Sequence, residues 1–113
     1  CLLNLGDARG ATIDGLALDG RGLGKNVHGL STGRTEFAKH EDSFRIERCQ
    51  VPHFRGDGEH MMYSWCFSVR QSMFAFNHGD GLSLGGWDGF LMDNWFSGNG
   101  RAGFAARISA AHF

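Results

Sequence analysis

Short apolar stretches separated by glycines recur along the chain at a nearly constant step. Phe44-Arg45-Ile46, Phe67-Ser68-Val69 and Phe90-Leu91-Met92 each lie 23 residues after the one before, and Gly56-Asp57-Gly58 returns at that step as Gly79-Asp80-Gly81. A period of this size is typical of a solenoid, in which each repeat packs on its neighbours. We therefore expect two inward columns in adjacent parallel strands, one made of Ile46, Val69 and Met92 and the other of Phe44, Phe67 and Phe90.

A second strand follows a glycine in each repeat, and one residue is lost from the series before its last copy. The copies are Gly29-Leu30, Gly58-Glu59-His60-Met61, Gly81-Leu82-Ser83-Leu84 and Gly103-Phe104-Ala105-Ala106. Helical periodicity and the ladder of a leucine-rich repeat are absent from the sequence, and a β-propeller needs about 40 residues per blade. The remaining architecture is an all-β parallel β-helix of about four to five coils, each of roughly 23 residues.

The 113 residues form a single β-helix segment, in which the polar residues 31–43 are a loop insertion between the first two coils. The chain starts at Cys1, and neither end resembles the capping segment of a solenoid. We therefore expect a fragment of a longer solenoid. Open ends leave unpaired strand edges, so the fragment should need flanking coils or a homotrimer to be stable.

Charge and composition exclude several classes of partner and ligand. A net charge of -1 and a pI of about 6.6 argue against nucleic-acid binding. The sequence contains no run of about 18 apolar residues, so it predicts no membrane span. Three cysteines without a CxxC pair indicate neither a disulfide framework nor a zinc site. The six histidines have no short metal-ligand spacing. The sequence therefore predicts no metal and no cofactor, although it leaves open a metal site assembled from different coils.

Three acidic residues are candidates for proton transfer. Asp57 and Asp80 lie one repeat apart, so they either share a proton or flank a sugar bond, or each caps local backbone amides at a corner. Glu59 stands in a column with Leu30 and Leu82. An inward carboxyl there would have a raised pKa, unless the strand shifts by one residue. The sequence leaves both pairs of alternatives open.

Two tryptophans are candidates for holding a sugar. Trp65 and Trp87 lie 22 residues apart, close to one repeat, and Asp88 follows the second. Aromatic faces stack on the C–H faces of sugars, and a neighbouring carboxylate accepts hydrogen bonds from hydroxyl groups. The alternative is that both tryptophans pack in a core or between subunits.

Three stretches of the sequence resemble known proteins, one at the level of a superfamily and two at the level of a family. Residues Ala11–Gly20, of sequence ATIDGLALDG, resemble the first coils of right-handed parallel β-helix proteins of the pectate-lyase-like superfamily. The runs Trp65–Arg70 and Gly86–Asn99 resemble inulin fructotransferase, a family that releases a cyclic difructose anhydride. The resemblance implies a right-handed β-helix, a trimer, and an active site at the subunit interface that depends on acidic residues.

The first hypothesis is a secreted or extracellular carbohydrate-active enzyme, a polysaccharide lyase or fructotransferase that acts on a β-linked fructan. The rival hypothesis is a non-catalytic trimeric β-helix shaft or a glycan-binding adhesin or tailspike module, because a fold does not fix a function. The enzyme and the adhesin make an oligosaccharide or polysaccharide the partner, whereas a shaft either binds glycans or simply spaces domains. The candidate catalytic residues are Asp57, Glu59 and Asp80, and the candidate substrate-binding residues are Trp65, Trp87, Asp88 and His60.

Overall fold

A computed structural model describes residues 1–6, 8–33 and 41–106. The described chain consists of short β-strands joined by tight corners, as the alternating pattern predicts. The strands, in chain order, are β1 Leu3–Asn4, β2 Thr12–Asp14, β3 Leu30–Gly33, β4 Arg45–Glu47, β5 Gln50–Pro52, β6 Glu59–Met62, β7 Ser64–Trp65, β8 Ser68–Arg70, β9 Met73–Ala75, β10 Leu82–Leu84, β11 Gly86–Trp87, β12 Phe90–Met92, β13 Trp95–Ser97 and β14 Phe104–Ala106.

Each strand pairs in parallel with the equivalent strand of the next coil, and the pairs stack into four sheets. Their orders are β1-β3-β6-β10-β14, β11-β7, β12-β8-β4-β2 and β13-β9-β5. The predicted all-β parallel solenoid is therefore confirmed, with about four turns. Residues 31–33 of the expected loop insertion continue β3, and residues 34–40 lie outside the described residues. In the described part of the chain, no helix is long and apolar enough to span a membrane.

The interior of the solenoid is a stack of apolar side chains from successive coils. Ile46 of β4 pairs with Val69 of β8, and both are fully buried. The rings of Phe44 and Phe67 stack with centroids 5.6 Å apart. These two pairs confirm the inward columns for the second and third coils. Leu30, Cys49, Val51, Phe54, Met61, Phe74, Leu82 and Leu84 complete the buried core.

One residue of the repeat is lost at the turn between β10 and β11, earlier than the sequence suggested. Ser83 pairs with His60 at a step of 23 residues, whereas Gly86 pairs with Ser64 at a step of 22. Glycine is required at this point, because a Cβ on Gly86 would collide with the Ser64 carbonyl oxygen. All the later columns are consequently shifted by one position.

This shift changes which side chains of β12 face the core. Leu91, and not Met92, pairs with Val69. Met92 is 45% exposed and Phe90 is 66% exposed. The predicted inward positions of Met92 and Phe90 are therefore wrong, because the loss of one residue before β12 turns both side chains outward.

Asparagine side chains tie successive coils together at one corner. Asn77 Oδ1 accepts a hydrogen bond from the Phe54 amide at 2.9 Å, and Asn99 Oδ1 accepts one from the Asn77 amide at 3.1 Å. Each side-chain amide also donates to a backbone carbonyl of the preceding coil, from Asn77 to Val51 and from Asn99 to Phe74. The ladder satisfies the Phe54 and Asn77 amides, which lie at the corner outside the strands.

Candidate functional site

A second ladder of side chains runs along the corner that precedes β3, β6, β10 and β14. His28 Nδ1 accepts a hydrogen bond from the Asp57 amide at 2.8 Å. Asp57 Oδ1 accepts one from the Asp80 amide at 2.7 Å, and Asp80 Oδ1 accepts one from the Ala102 amide at 3.0 Å. Each aspartate of a Gly-Asp-Gly corner thus caps a backbone amide, but the amide belongs to the next coil, whereas the sequence predicts a local one.

We call the corner at Gly56-Asp57-Gly58, before β6, the first corner. It also gathers two imidazoles around one carboxylate oxygen. Asp57 Oδ2 lies 2.8 Å from His60 Nδ1 and 3.5 Å from His28 Nδ1. The two imidazole rings stack with centroids 4.5 Å apart and an angle of 18° between their planes. Asp57 is buried, whereas both histidines are partly exposed. The cluster of His28, Asp57 and His60 therefore opens to solvent through its imidazoles.

The hydrogen bonds fix where the protons sit. Burial pushes the pKa of Asp57 upwards, but hydrogen bonds from His60 and the Asp80 amide, with the nearby imidazoles, hold it below its usual value. An ionised Asp57 can only accept, so His60 donates from Nδ1. His28 Nδ1 is an acceptor and carries no proton. Burial lowers the pKa of His28 and outweighs the attraction of Asp57, so both rings have defined and opposite tautomers when they are neutral.

Glu59 points into the solenoid, which decides the register left open by the sequence. It pairs with Leu30 and Leu82, and its side chain is 0% exposed. Burial raises the pKa of Glu59 to about 8, and the Thr32 hydroxyl only partly opposes the shift. Neither carboxyl oxygen makes a hydrogen bond of good geometry among the described residues. Glu59 is thus a neutral acid at pH 7 that does not reach the surface.

The aromatic pair lies on β7 and β11. Tyr63 forms the corner between β7 and β6, the strand that carries His60. Trp65 pairs directly with Trp87, and their rings stack with centroids 6.4 Å apart. Trp65 Nε1 donates a hydrogen bond to Asp88 Oδ2 at 3.0 Å. The structure therefore brings these three predicted sugar-binding residues together. Beside them lies an open groove of about 250 Å³, whose lining includes Asp88 and Phe90.

Of the predicted residues, Asp57 and His60 lie in one cluster and Asp80 is the next rung of its ladder. The sequence analysis missed His28, although a signal for it was present. Aligning Gly29-Leu30 with Gly58-Glu59 places His28 in the column of Asp57.

Sequence analysis also missed a second groove, of about 470 Å³, on another face of the solenoid. Trp95 stands at this groove and is 67% exposed. Arg48, Gln71 and Asp93 supply hydrogen-bonding groups beside the indole. Arg48 and Gln71 keep the step of 23 residues, whereas the loss of one residue before β12 shifts Asp93 and Trp95 out of that alignment.

Comparison of the chain with family models, with curated proteins and with solved structures found no match. The resemblance to inulin fructotransferase therefore rests on the sequence runs alone.

Proposed function

We propose that this solenoid acts on a carbohydrate, with His60 as the proton-transfer group and the Trp65–Trp87 pair as the sugar platform. The observation that carries the proposal is the 2.8 Å hydrogen bond between Asp57 Oδ2 and His60 Nδ1. An ionised carboxylate that fixes the Nδ1 proton orients the imidazole and stabilises its cation, which leaves Nε2 for proton exchange with a substrate. Asp57 acts through His60, so it is a positioning residue.

The reaction that the sequence resemblance suggests is intramolecular fructosyl transfer in a β-linked fructan. Protonated His60 would give its Nε2 proton to the glycosidic oxygen as the bond from that oxygen to the anomeric carbon breaks. The neutral imidazole would then take the proton of a hydroxyl of the neighbouring fructose as that oxygen bonds to the anomeric carbon. A cyclic difructose anhydride is released, His60 returns to its cationic form, and no proton is gained or lost.

The other predicted acids have a less direct part in this scheme. Asp80 holds the Ala102 amide and supports the ladder that carries Asp57. Glu59 is enclosed in the core, where its acid form is the stable one at neutral pH. The sequence predicts both as catalytic residues, whereas in this scheme neither transfers the proton, and amide substitutions test the difference.

The test compares two aspartates that share a motif. We expect Asp57→Asn and His60→Gln each to lower the release of cyclic disaccharide from inulin by about 10²–10⁴-fold, the usual contribution of proton transfer. Asp80→Asn is the matched control, because the amide oxygen keeps the hydrogen bond to Ala102, and it should retain turnover. Wild-type turnover in both folded variants, Asp57→Asn and His60→Gln, would contradict the proposal.

A second candidate is glycan binding without catalysis, as in a trimeric shaft or adhesin. It is favoured by the groove beside Trp95, where an exposed indole lies next to Arg48, Gln71 and Asp93. Trp95→Ala should then abolish oligosaccharide binding in a chain that turns over no fructan, while Trp87→Ala leaves binding unchanged. Trimer formation and an extracellular location stay predictions, and sedimentation of the chain as a folded monomer would contradict the first.

A further inference from the structure

The cluster at the first corner has the composition and spacing of a metal site. Each of His28, Asp57 and His60 offers one ligand atom, and these atoms all lie within 4.8 Å of one another. They come from two adjacent coils, with His28 before β3 and the other two residues around the start of β6. We propose that His28, Asp57 and His60 bind a divalent first-row transition-metal ion, with Zn²⁺ as the probe of choice.

The type of ligand selects the class of ion. Two imidazoles and one carboxylate suit Zn²⁺, Co²⁺, Ni²⁺ and Cu²⁺, whereas Ca²⁺ and Mg²⁺ prefer a shell made of oxygen atoms. Three protein ligands leave at least one coordination position for water in a tetrahedral site. The partial exposure of both imidazoles gives an ion and its water a route from solvent.

The distances are close to those that coordination needs. Metal–ligand bonds of about 2.0–2.1 Å separate neighbouring ligand atoms of a tetrahedral site by roughly 3.4 Å. Asp57 Oδ2 and His28 Nδ1 already lie 3.5 Å apart. The 2.8 Å separation of Asp57 Oδ2 from His60 Nδ1 is that of a hydrogen bond, and it must lengthen by about half an ångström as an ion replaces the proton.

Binding at these atoms has two costs that set its strength. The ion displaces the proton on His60 Nδ1, and it takes the lone pair of His28 Nδ1 that now accepts the Asp57 amide. We therefore expect binding weaker than that of a structural zinc site. An ion on Nδ1 leaves a proton on Nε2 of His60, so it would also stop the proposed proton exchange. The metal site does not depend on the proposed function.

The experiment titrates the chain with Zn²⁺ by calorimetry and with Co²⁺ by visible absorption. Wild type should bind a single ion with cobalt d–d bands of a tetrahedral nitrogen–oxygen site, and Ca²⁺ should not compete. His28→Gln and His60→Gln should each weaken binding by about tenfold or more. His53→Gln and His78→Gln are the matched controls and should bind as wild type, because neither residue belongs to the cluster.

A thiolate-to-cobalt charge-transfer band would assign the ion to a cysteine and overturn the proposal. Equal affinity in wild type and in the His28→Gln, His60→Gln double variant would overturn it as well. Circular dichroism establishes that each variant is folded. Where a variant is unfolded, Zn²⁺ is added to wild type labelled with ¹⁵N on its histidine rings. The Nδ1 signals of His28 and His60 should then shift, and no shift at either would contradict the site.

Discussion

At Gly56-Asp57-Gly58 and at Gly79-Asp80-Gly81 the chain makes the same turn, and in both the aspartate Oδ1 accepts an amide hydrogen bond from the next coil. The residues that follow differ. The first corner continues into Glu59-His60, with a buried carboxyl and an imidazole, and the second into Leu82-Ser83. The first corner also follows His28 in its column, whereas the second follows Asp57.

In the proposed scheme the Gly-Asp-Gly motif has a structural role, and the residues beside it supply the chemistry. A Gly-Asp-Gly corner supplies a rung between coils wherever it occurs. At the first corner, imidazoles stand on both the preceding coil and the following strand, as His28 and His60 do around Asp57. Substitutions that give one corner the residue of the other therefore test which residues contribute to function.

The largest effect on stability is expected from Glu59→Leu, which gives the first corner the core residue of the second. Burial raises the pKa of Glu59 from 4.5 to about 8. Between these values the unfolded chain loses a proton that the folded chain keeps, so stability falls as pH rises, by roughly 1 kcal/mol per pH unit. The variant should be more stable than wild type and should lack this slope.

Urea unfolding at pH 5, 6.5 and 8 measures the effect of Glu59→Leu, and Glu59→Gln is the control that keeps the shape of the side chain. Both variants should flatten the decline of the unfolding free energy with pH. An unchanged slope in either variant would show that Glu59 ionises freely in the folded chain, which would contradict its enclosed position.

A smaller effect is expected where the second corner loses its rung. Asp80→Ala removes the acceptor of the Ala102 amide. A fully buried donor left without a partner costs about 1–3 kcal/mol, and the loss should lie at the low end of that range because Ala102 is partly exposed. Asp80→Asn keeps an oxygen in that position and should cost much less. Chemical denaturation of both variants measures the difference, and equal losses would mean that the rung contributes no stability.

The smallest effect is expected from His60→Ser, which gives the first corner the polar residue of the second. The pKa of Asp57 is held below 3.8 in part by His60, so its stabilisation is present above that pH and is lost as pH falls further. Removing His60 should raise the pKa of Asp57 and lower stability at neutral pH by at most about 1 kcal/mol, because the imidazole is partly exposed. Acid unfolding followed by circular dichroism checks the direction, and a more acid-resistant variant would contradict it.

The sequence was sufficient for the fold and for the columns that begin with a glycine. The glycine before each second strand fixed the alignment of Leu30, Glu59, Leu82 and Phe104, and the structure has that register. Alignment on these glycines succeeds because a side chain at the corner would collide with the neighbouring coil. A Cβ on Gly58, for example, would approach the Asn77 side-chain nitrogen to 2.8 Å.

The fourth coil could not be placed in the same way. The residue is lost beside Gly85-Gly86, where two glycines leave no side chain to mark the column. Leu91 and Met92 are both apolar. An apolar side chain therefore faces Val69 whether the step is 22 or 23 residues. The step of 22 residues from Trp65 to Trp87 and from Asn77 to Asn99 was the available signal.

The chemistry of the first corner depends on contacts that the repeat spacing reveals only in part, since the glycine alignment places His28 in the column of Asp57 but does not show which atoms meet. His28 and His60 lie far apart in the sequence, and only the stacking of coils brings both rings to one carboxylate oxygen. Which nitrogen carries the proton then follows from the direction of the backbone amide of Asp57, which points at His28.

The most direct test of a functional first corner and a structural second one is ¹⁵N NMR of the histidine ring nitrogens at a pH where the rings are neutral. Wild type should show His28 protonated on Nε2 and His60 protonated on Nδ1. Asp57→Asn should abolish the fixed tautomer of His60, while Asp80→Asn leaves both tautomers unchanged. Averaged tautomers for both rings in wild type, or equal responses to the two substitutions, would contradict the account.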